Sequence, residues 1–252
     1  MSIFAETKIV EEIRTERIPL LSEDYVDLSA VADGYIEEMV LAAEAEVERR
    51  LTVPLSPVEV FPHPPSEDEI DDLNGVRWVQ EPGYDLPPGY FSPGHWGLLR
   101  LRIRPVISVS SVALIHPVSH TTVYDVPDSW IMLDQTGGTI TILPSTDVAN
   151  GRMSMFLLQA MSSGYEIPHI IRVRYKAGLS DIHTRYPDIP ALIKQLAMVR
   201  IIDSGMVPQS GSLSADGISQ SFSLDSGKMV DVINKRLDDL RDQIVGPRMV
   251  FA

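Results

Sequence analysis

Six histidines (His63, His95, His116, His120, His169 and His183) are the residues through which this chain would hold a metal or move a proton near neutral pH. His116 and His120 have the i, i+4 spacing of a helical metal pair. Pro117 and the surrounding β pattern place them on extended chain instead, where positions four apart lie about 13 Å from one another. His183 falls with Asp181 and Asp188 in a polar stretch before a helix, and Asp188 reads there as a capping residue. Glu67, Asp68, Glu69, Asp71 and Asp72 bring carboxylates together. They lack the Asp-x-Asp-x-Asp-Gly order of a calcium loop and read as a solvated acidic loop. No Gly-x-Ser-x-Gly, Walker-type or dinucleotide motif is present. Gly137-Gly138 and Gly89 to Gly94 lack the strand–loop–helix context of phosphate binding. The expectation is no catalytic residue, no cofactor and no metal: a protein that is not an enzyme.

The basic residues form a second pattern. Arg100, Arg102 and Arg104 alternate with Leu99, Leu101 and Ile103. Arg172, Arg174 and Lys176 alternate with Ile171, Val173 and Tyr175. Both read as strands with one apolar and one basic face. Placed side by side they would set like charges opposite each other. Either the two strands are not neighbours, or acidic residues intervene. The acidic stretch bearing Glu11, Glu12 and Glu16 is an available partner.

These strands need elements to carry them. The chain has 252 residues, 44% hydrophobic and 22% charged, which is ordinary for a folded protein of one or two domains. Its net charge of −14 argues against a protein that grips nucleic acid through phosphates. It permits one that lines a route for DNA without holding it. Cysteine is absent. No apolar run approaches the roughly 18 residues of a membrane span. The opening MSIFAETKIVEE lacks the basic and apolar regions of a signal peptide.

Residues 1–26 are expected as an N-terminal acidic arm, with Lys8 to Ile18 exposed and extended or forming an edge strand. A helix follows from about Leu28 to Leu51, with Val31, Tyr35, Met39, Ala42 or Ala43, Val47 and Leu51 on its apolar face and Asp27 or Ser29 capping it. Residues 54–97, rich in Pro and Gly, read as an irregular surface insertion with short strands near Val58 to Phe61 and Val76 to Val79. Strands continue over Leu98 to Arg104 and Ser108 to Ile115. A hairpin joins Trp130–Leu133 to Thr139–Leu143, and Ile170 to Lys176 is the next strand. Residues 145–165 fit either helix or strand. Helices return over Ile189 to Ile202 and Lys228 to Val245, where Gly246-Pro247 stops the last helix.

The predicted fold class is α+β. A small bundle of long helices (27–53 and 187–245) carries an inserted antiparallel β-rich region (54–186), with a C-terminal tail at 246–252. The whole of 27–252 is one domain.

Between the last two helices lies GSLSADGISQSFSLDSG. Asp216-Gly217 supplies the positive φ of a two-residue hairpin turn. Ile218, Phe222 and Leu224 share one parity, with Gln220 breaking the row. Such a hairpin is marginal unless something covers it. The cover is either a neighbouring copy or partner protein or the chain's own core, and the apolar tail is either folded back or docked in a partner. On the partner reading, Leu213, Asp216, Gly217, Ile218, Phe222 and Leu224, with Arg248, Met249 and Phe251 of the tail, are the candidate interface.

The succession LRIRPVISVSSVALI, WIMLDQTGGTITIL, IRVRYKAGLSD, PDIPALIKQLAM and SADGISQSFS resembles the head–tail connector (adaptor) proteins of tailed bacteriophages over roughly Leu28 to Val245. The order and spacing of the pieces carry the resemblance. It implies a structural virion protein located in the neck and assembled in the host cytoplasm. It implies a homo-oligomeric ring, of about 12 copies, below a portal protein and joined to a downstream neck or tail protein. DNA would pass as cargo, and no membrane is involved. The 54–97 insertion and the N-terminal arm depart from shorter members. Two other readings stand beside this one. A tail or baseplate ligand-binding module would expose aromatics around Tyr84, Tyr90, Phe91 and Trp96. A hydrolase would need His with Asp or Glu converging in a deep pocket.

Overall fold

The computed structural model describes residues 3–4, 6–15, 31–90, 97–116, 118–143, 166–204, 210–215, 218–223 and 226–246, with 210–223 described at the level of its backbone. Its element order is α1 (Glu6–Thr15), α2 (Asp33–Leu51), β1 (Val58–Phe61), α3 (Glu67–Asp72), β2 (Arg77–Gln80), β3 (Tyr84–Leu86), β4 (Leu98–Arg100), β5 (Val106–Ile115), β6 (Thr122–Val126), a 3-10 turn (Asp128–Trp130), β7 (Ile131–Asp134), β8 (Thr139–Ile142), β9 (Ile167–Ala177), α4 (Ile182–Arg185), α5 (Asp188–Asp203), β10 (Ser210–Ala215), β11 (Ile218–Ser223) and α6 (Ser226–Val245). The class is α+β. The chain divides into a helical unit, containing α1, α2, α4, α5, the β10–β11 hairpin and α6 as far as Gln243, and a sheet unit containing α3 and β1 to β9. Among the described residues no helix is long and apolar enough to cross a membrane.

In the helical unit, α1 corrects the expectation of an extended arm. Ile9, Val10 and Ile13 are buried at i, i+1 and i+4, a helical spacing, while Lys8 is exposed and ion-paired to Glu12 one turn on. An alternation of two would have split that apolar set between two faces. Arg14 anchors the helix end, donating to Asp33 Oδ1 at 2.6 Å and to the Val31 carbonyl at 2.7 Å.

Helix α2 buries Ile36, Val40, Ala43, Val47 and Leu51. The expected face is thus turned by one residue at its N-terminal end, where Tyr35 and Met39 are only half-buried. Ala32 occupies the cap position without a side-chain bond. Asp27 and Ser29 lie outside the described residues. Helix α5 is buried on nearly every side, from Ile189 and Leu192 through Ile202, as a helix that is apolar all round must be. Glu46 of α2 bonds both Arg50 at 3.1 Å and Arg200 of α5. Asp188 sits in the first turn of α5 and not at its cap, which is Pro187.

The sheet unit holds a six-stranded sheet ordered β2-β1-β9-β5-β6, with β3 also on β9, and a three-stranded sheet ordered β4-β8-β7. The expected antiparallel region is mixed, because β1 and β2 run parallel. The two sheets share one core, in which Val60, Leu86, Leu114, Ile171, Val173 and Tyr175 of the larger meet Leu99, Ile140 and Ile142 of the smaller. Each fully buried aliphatic or aromatic side chain there contributes about 1.5–3 kcal/mol.

Residues 54–97 are not a surface insertion throughout. Val58, Val60 and Phe61 are fully buried and β1 is an interior strand. The acidic run is a short helix, α3, closed by a capping box between Ser66 and Glu69. Strand β9 ends at Gly178, whose φ of +110° and 2.6 Å approach of a would-be Cβ to the Ser56 carbonyl oxygen admit only glycine.

Ile13→Ala should cost about 2–5 kcal/mol by denaturant unfolding, the usual range for a buried isoleucine. A loss below about 0.5 kcal/mol, as at a surface position, would mean that α1 is not docked.

Candidate functional site

The densest cluster of titratable side chains lies inside the sheet unit, around Glu81. This carboxylate is 6% exposed. It follows β2, and its own amide donates to the Phe61 carbonyl at 2.9 Å, which brings it over the core. Tyr175 of β9, itself fully buried, donates its hydroxyl to Glu81 Oε2 at 2.5 Å. Arg102 donates to Glu81 Oε1 at 3.0 Å and to the Pro82 carbonyl at 2.7 Å. The phenol oxygens in turn accept backbone amides. Tyr84 Oη takes Arg102 N–H at 3.1 Å, and Tyr175 Oη takes Ile103 N–H at 3.2 Å. The Arg102 guanidinium stacks 4.2 Å from the centre of the Tyr84 ring.

Burial, and then the Glu81 carboxylate, pushes both Tyr84 and Tyr175 far above the ordinary phenol value of 10.0. Both stay neutral donors at any physiological pH. A buried carboxylate must be met by charge and hydrogen bonds or it destabilises the fold. Here donors of the chain itself occupy both oxygens. The cluster fastens the stretch between β4 and β5 to β9. It leaves no open position for a reacting group.

A second network answers the question of the two basic strands. They are not neighbours: β4 pairs with β8, whereas β9 pairs with β1, β3 and β5. Arg174 meets Glu59 at 3.1 Å and Glu69 at 3.0 Å, with its guanidinium 4.3 Å from the Phe61 ring centre. Lys176 lies opposite Glu59 in register. Among the described residues the acidic partners of Arg102 and Arg174 come from 59–81. Glu12 is committed to Lys8 and Lys194, and Glu16 lies outside the described residues.

Among the described residues the histidines do not converge on a metal-binding group. The His116 ring accepts the Ser119 amide at 3.1 Å inside the β5–β6 turn. His169 contacts the Gly83 carbonyl at 2.9 Å. His183 meets the Ile3 carbonyl at 3.1 Å, with the Phe4 ring edge-on to it. Among the described residues no group of three or more His, Asp or Glu is placed to hold a metal. A cleft of about 300 Å³ in the helical unit is lined by Phe4, Lys8, Glu12, His183 and Lys194. Glu12 is shared by its two lysines, with Lys194 at 3.3 Å and Lys8 at 3.6 Å.

The candidate interface residues divide in two. The β10–β11 ladder pairs Ser210 with Ser223, Ser212 with Ser221, and Ser214 with Ser219; between them it pairs Gly211 with Phe222, Leu213 with Gln220, and Ala215 with Ile218. Directly opposed residues share a face. The register therefore places six serines on one face, and Leu213, Ala215, Ile218 and Phe222 together on the other. Asp216, Gly217, Leu224, Arg248, Met249 and Phe251 lie outside the described residues, as do Phe91 and Trp96. Tyr84 and Tyr90 are buried, Tyr90 with its hydroxyl on the Gly97 carbonyl at 2.8 Å.

Sequence reasoning missed the outer face of the three-stranded sheet. Leu98, Thr141 and Met132 form one row across it, and Arg100, Thr139 and Asp134 the next. Leu98 and Met132 are 58% and 59% exposed. The alternation of Leu99 and Leu101 with arginines pointed to this face, but not to its neighbouring strands.

No protein-family model matches the chain, and no curated protein does. Among solved structures, a chain of the neck of an empty gene transfer agent particle, computed with sixfold symmetry, is 13% identical with a TM-score of 0.44, over 93% of this chain and 88% of that one. A chain of the native gene transfer agent virion is 16% identical with a TM-score of 0.43, over 99% and 92%. Overlap at this level establishes no shared role.

Tyr175→Phe removes a donor from buried Glu81 and should cost about 1–3 kcal/mol. A phenol held above 10.0 in the folded state contributes stability that is full below pH 10.0 and is lost as the pH rises beyond it. The unfolding free energy should therefore fall above about pH 10 in the wild type. It should fall less steeply in Tyr175→Phe. Equal slopes in denaturant melts across this range would contradict the role given to Tyr175.

Proposed function

We propose that this chain is a structural virion protein, a head–tail adaptor that forms a homo-oligomeric ring, of about 12 copies, between a portal protein and the downstream neck or tail. DNA crosses the ring as passing cargo. The protein works in the neck of a virion assembled in the host cytoplasm, and it needs neither a cofactor nor catalysis. In the ring, α2, α5 and α6 serve as a bundle of long helices, and the hairpin between α5 and α6 reaches a neighbouring copy or the portal.

One observation carries the reading: the two-faced register of the β10–β11 ladder. The two strands form a sheet of their own. A lone hairpin is marginal in water. A face holding Leu213, Ala215, Ile218 and Phe222 gains stability only when it is covered, and a partner subunit is a cover of suitable size. The six serines opposite suit a wet or DNA-facing surface. The net charge of −14 repels phosphate, so DNA would slide past and not adhere. The apolar tail residues Met249 and Phe251, with Arg248, add a second segment for the same contact. Burial of Tyr84 and Tyr90 removes half of the aromatic cluster that a ligand-binding tail module would need.

Mass photometry and negative-stain microscopy, with and without the portal protein, test this. The expected result is a ring many times the mass of one chain, or a monomer that assembles on the portal. A strict monomer that binds no portal would remove the proposal. Phe222→Asp should reduce assembly at least about tenfold, as expected for a buried interface aromatic, while the monomer's melting temperature changes little. Unfolding of the mutant monomer would instead assign the hairpin to the chain's own core.

A further inference from the structure

Among the described arginines of the sheet unit, Arg100 and Arg104 stand out because neither has an acceptor. Arg102, Arg172 and Arg174 each bond a carboxylate or carbonyl of the same unit. No hydrogen bond or ion pair engages the guanidinium of Arg100, which is exposed at the end of β4. Arg104 is half-buried, packed over Gly138, and its Nη1 is enclosed without a partner. Burial and the nearby Arg100 charge both disfavour its protonated form. Two close, like-charged guanidiniums, one of them partly desolvated, cost stability unless an anion joins them. The one carboxylate in the same cross-strand row, Asp134, is engaged in its own turn by the Thr136 and Gly137 amides, both at 3.1 Å.

The same unit carries the complementary surface elsewhere. Helix α3 exposes Glu67, Asp68, Asp71 and Asp72 around Ile70, which is 39% exposed; only Glu69 is committed, to Arg174. The arginines adjoin the exposed Leu98–Thr141–Met132 row. Each surface thus combines an apolar centre with charge, and the signs are opposite.

We infer that Arg100 and Arg104 receive the acidic α3 of a second copy of this chain, with Ile70 set against the Leu98–Met132 row. The contact joins two different patches. It is therefore head-to-tail and repeats from copy to copy, the kind of interface that generates rings. This inference rests on the ring proposed above and names the contact that closes it.

Three proteins test it, measured by mass photometry beside the wild type and the portal protein: Arg100→Glu/Arg104→Glu, Asp71→Lys/Asp72→Lys, and the variant with all four changes. Each double variant should raise the midpoint concentration of assembly about tenfold or more, since like charges then face each other. An equimolar mixture of the two doubles should recover assembly, because each then meets opposite charge on both sides. The fourfold variant should recover it by itself. Asp71 and Asp72 are exposed, so their variant is expected to keep its fold even if replacement of Arg104 does not. Wild-type rings alongside intact assembly of both double variants would overturn this contact and leave the ring standing. A wild type that stays monomeric with the portal removes both. Arginine-dependent binding of inorganic phosphate or duplex DNA, with assembly unaffected, would assign the pair to phosphate and overturn the contact.

Discussion

The sheet unit depends on one buried carboxylate. Glu81 holds Tyr175 at the centre of β9 and Arg102 in the stretch between β4 and β5. Through the two phenols it also fixes the amides of Arg102 and Ile103. That stretch is where the chain leaves the small sheet for the large one. The two sheets share one core on either side of this crossing. Burying a carboxylate is unfavourable unless its oxygens are satisfied. Two phenols and an arginine achieve that within a space of three segments.

The same accounting explains why the basic faces are compatible with folding. Arginines on strands repel one another unless carboxylates lie between them. Residues 59–81 supply Glu59, Glu69 and Glu81 for this purpose. The proline-rich stretch is thus an integral layer of the sheet unit, with β1 in its interior. Arg100 and Arg104 fall outside its reach. Arg102, Arg172 and Arg174 bond acceptors of their own unit, and Arg100 and Arg104 do not; the proposed assembly contact rests on that contrast.

The helical unit follows a different economy. Its ion pairs, Glu46 with Arg200 and Glu12 with Lys194, tie helices across their partly exposed flanks, where such pairs contribute little individually. Burial of Ile13, Ile36, Val47, Leu196 and Ile201 carries its stability. The hairpin between α5 and α6 has no comparable apolar supply. A serine face opposite an apolar face is poor material for a freestanding element and good material for one that is covered on assembly.

Periodicity in the sequence determined the elements wherever one face is buried and the other solvated. The alternation at Ile171, Val173 and Tyr175, the Thr139–Leu143 hairpin and the apolar rows of α5 and α6 were all legible, because burial on one face imposes a period on the residues. One element was misread for lack of that signal. In α1 the buried set is only Ile9, Val10 and Ile13, too short to separate helix from strand; docking decides it. Strand β1 stands where it was expected, at Val58–Phe61, but inside the sheet and not in a surface insertion. Which charges meet was not legible either. Glu81 and Tyr175 are 94 positions apart, and Arg174 and Glu59 are 115 apart. Composition sets how many charges there are, but only the tertiary path of the chain decides which are neutralised and which, like Arg100 and Arg104, are not.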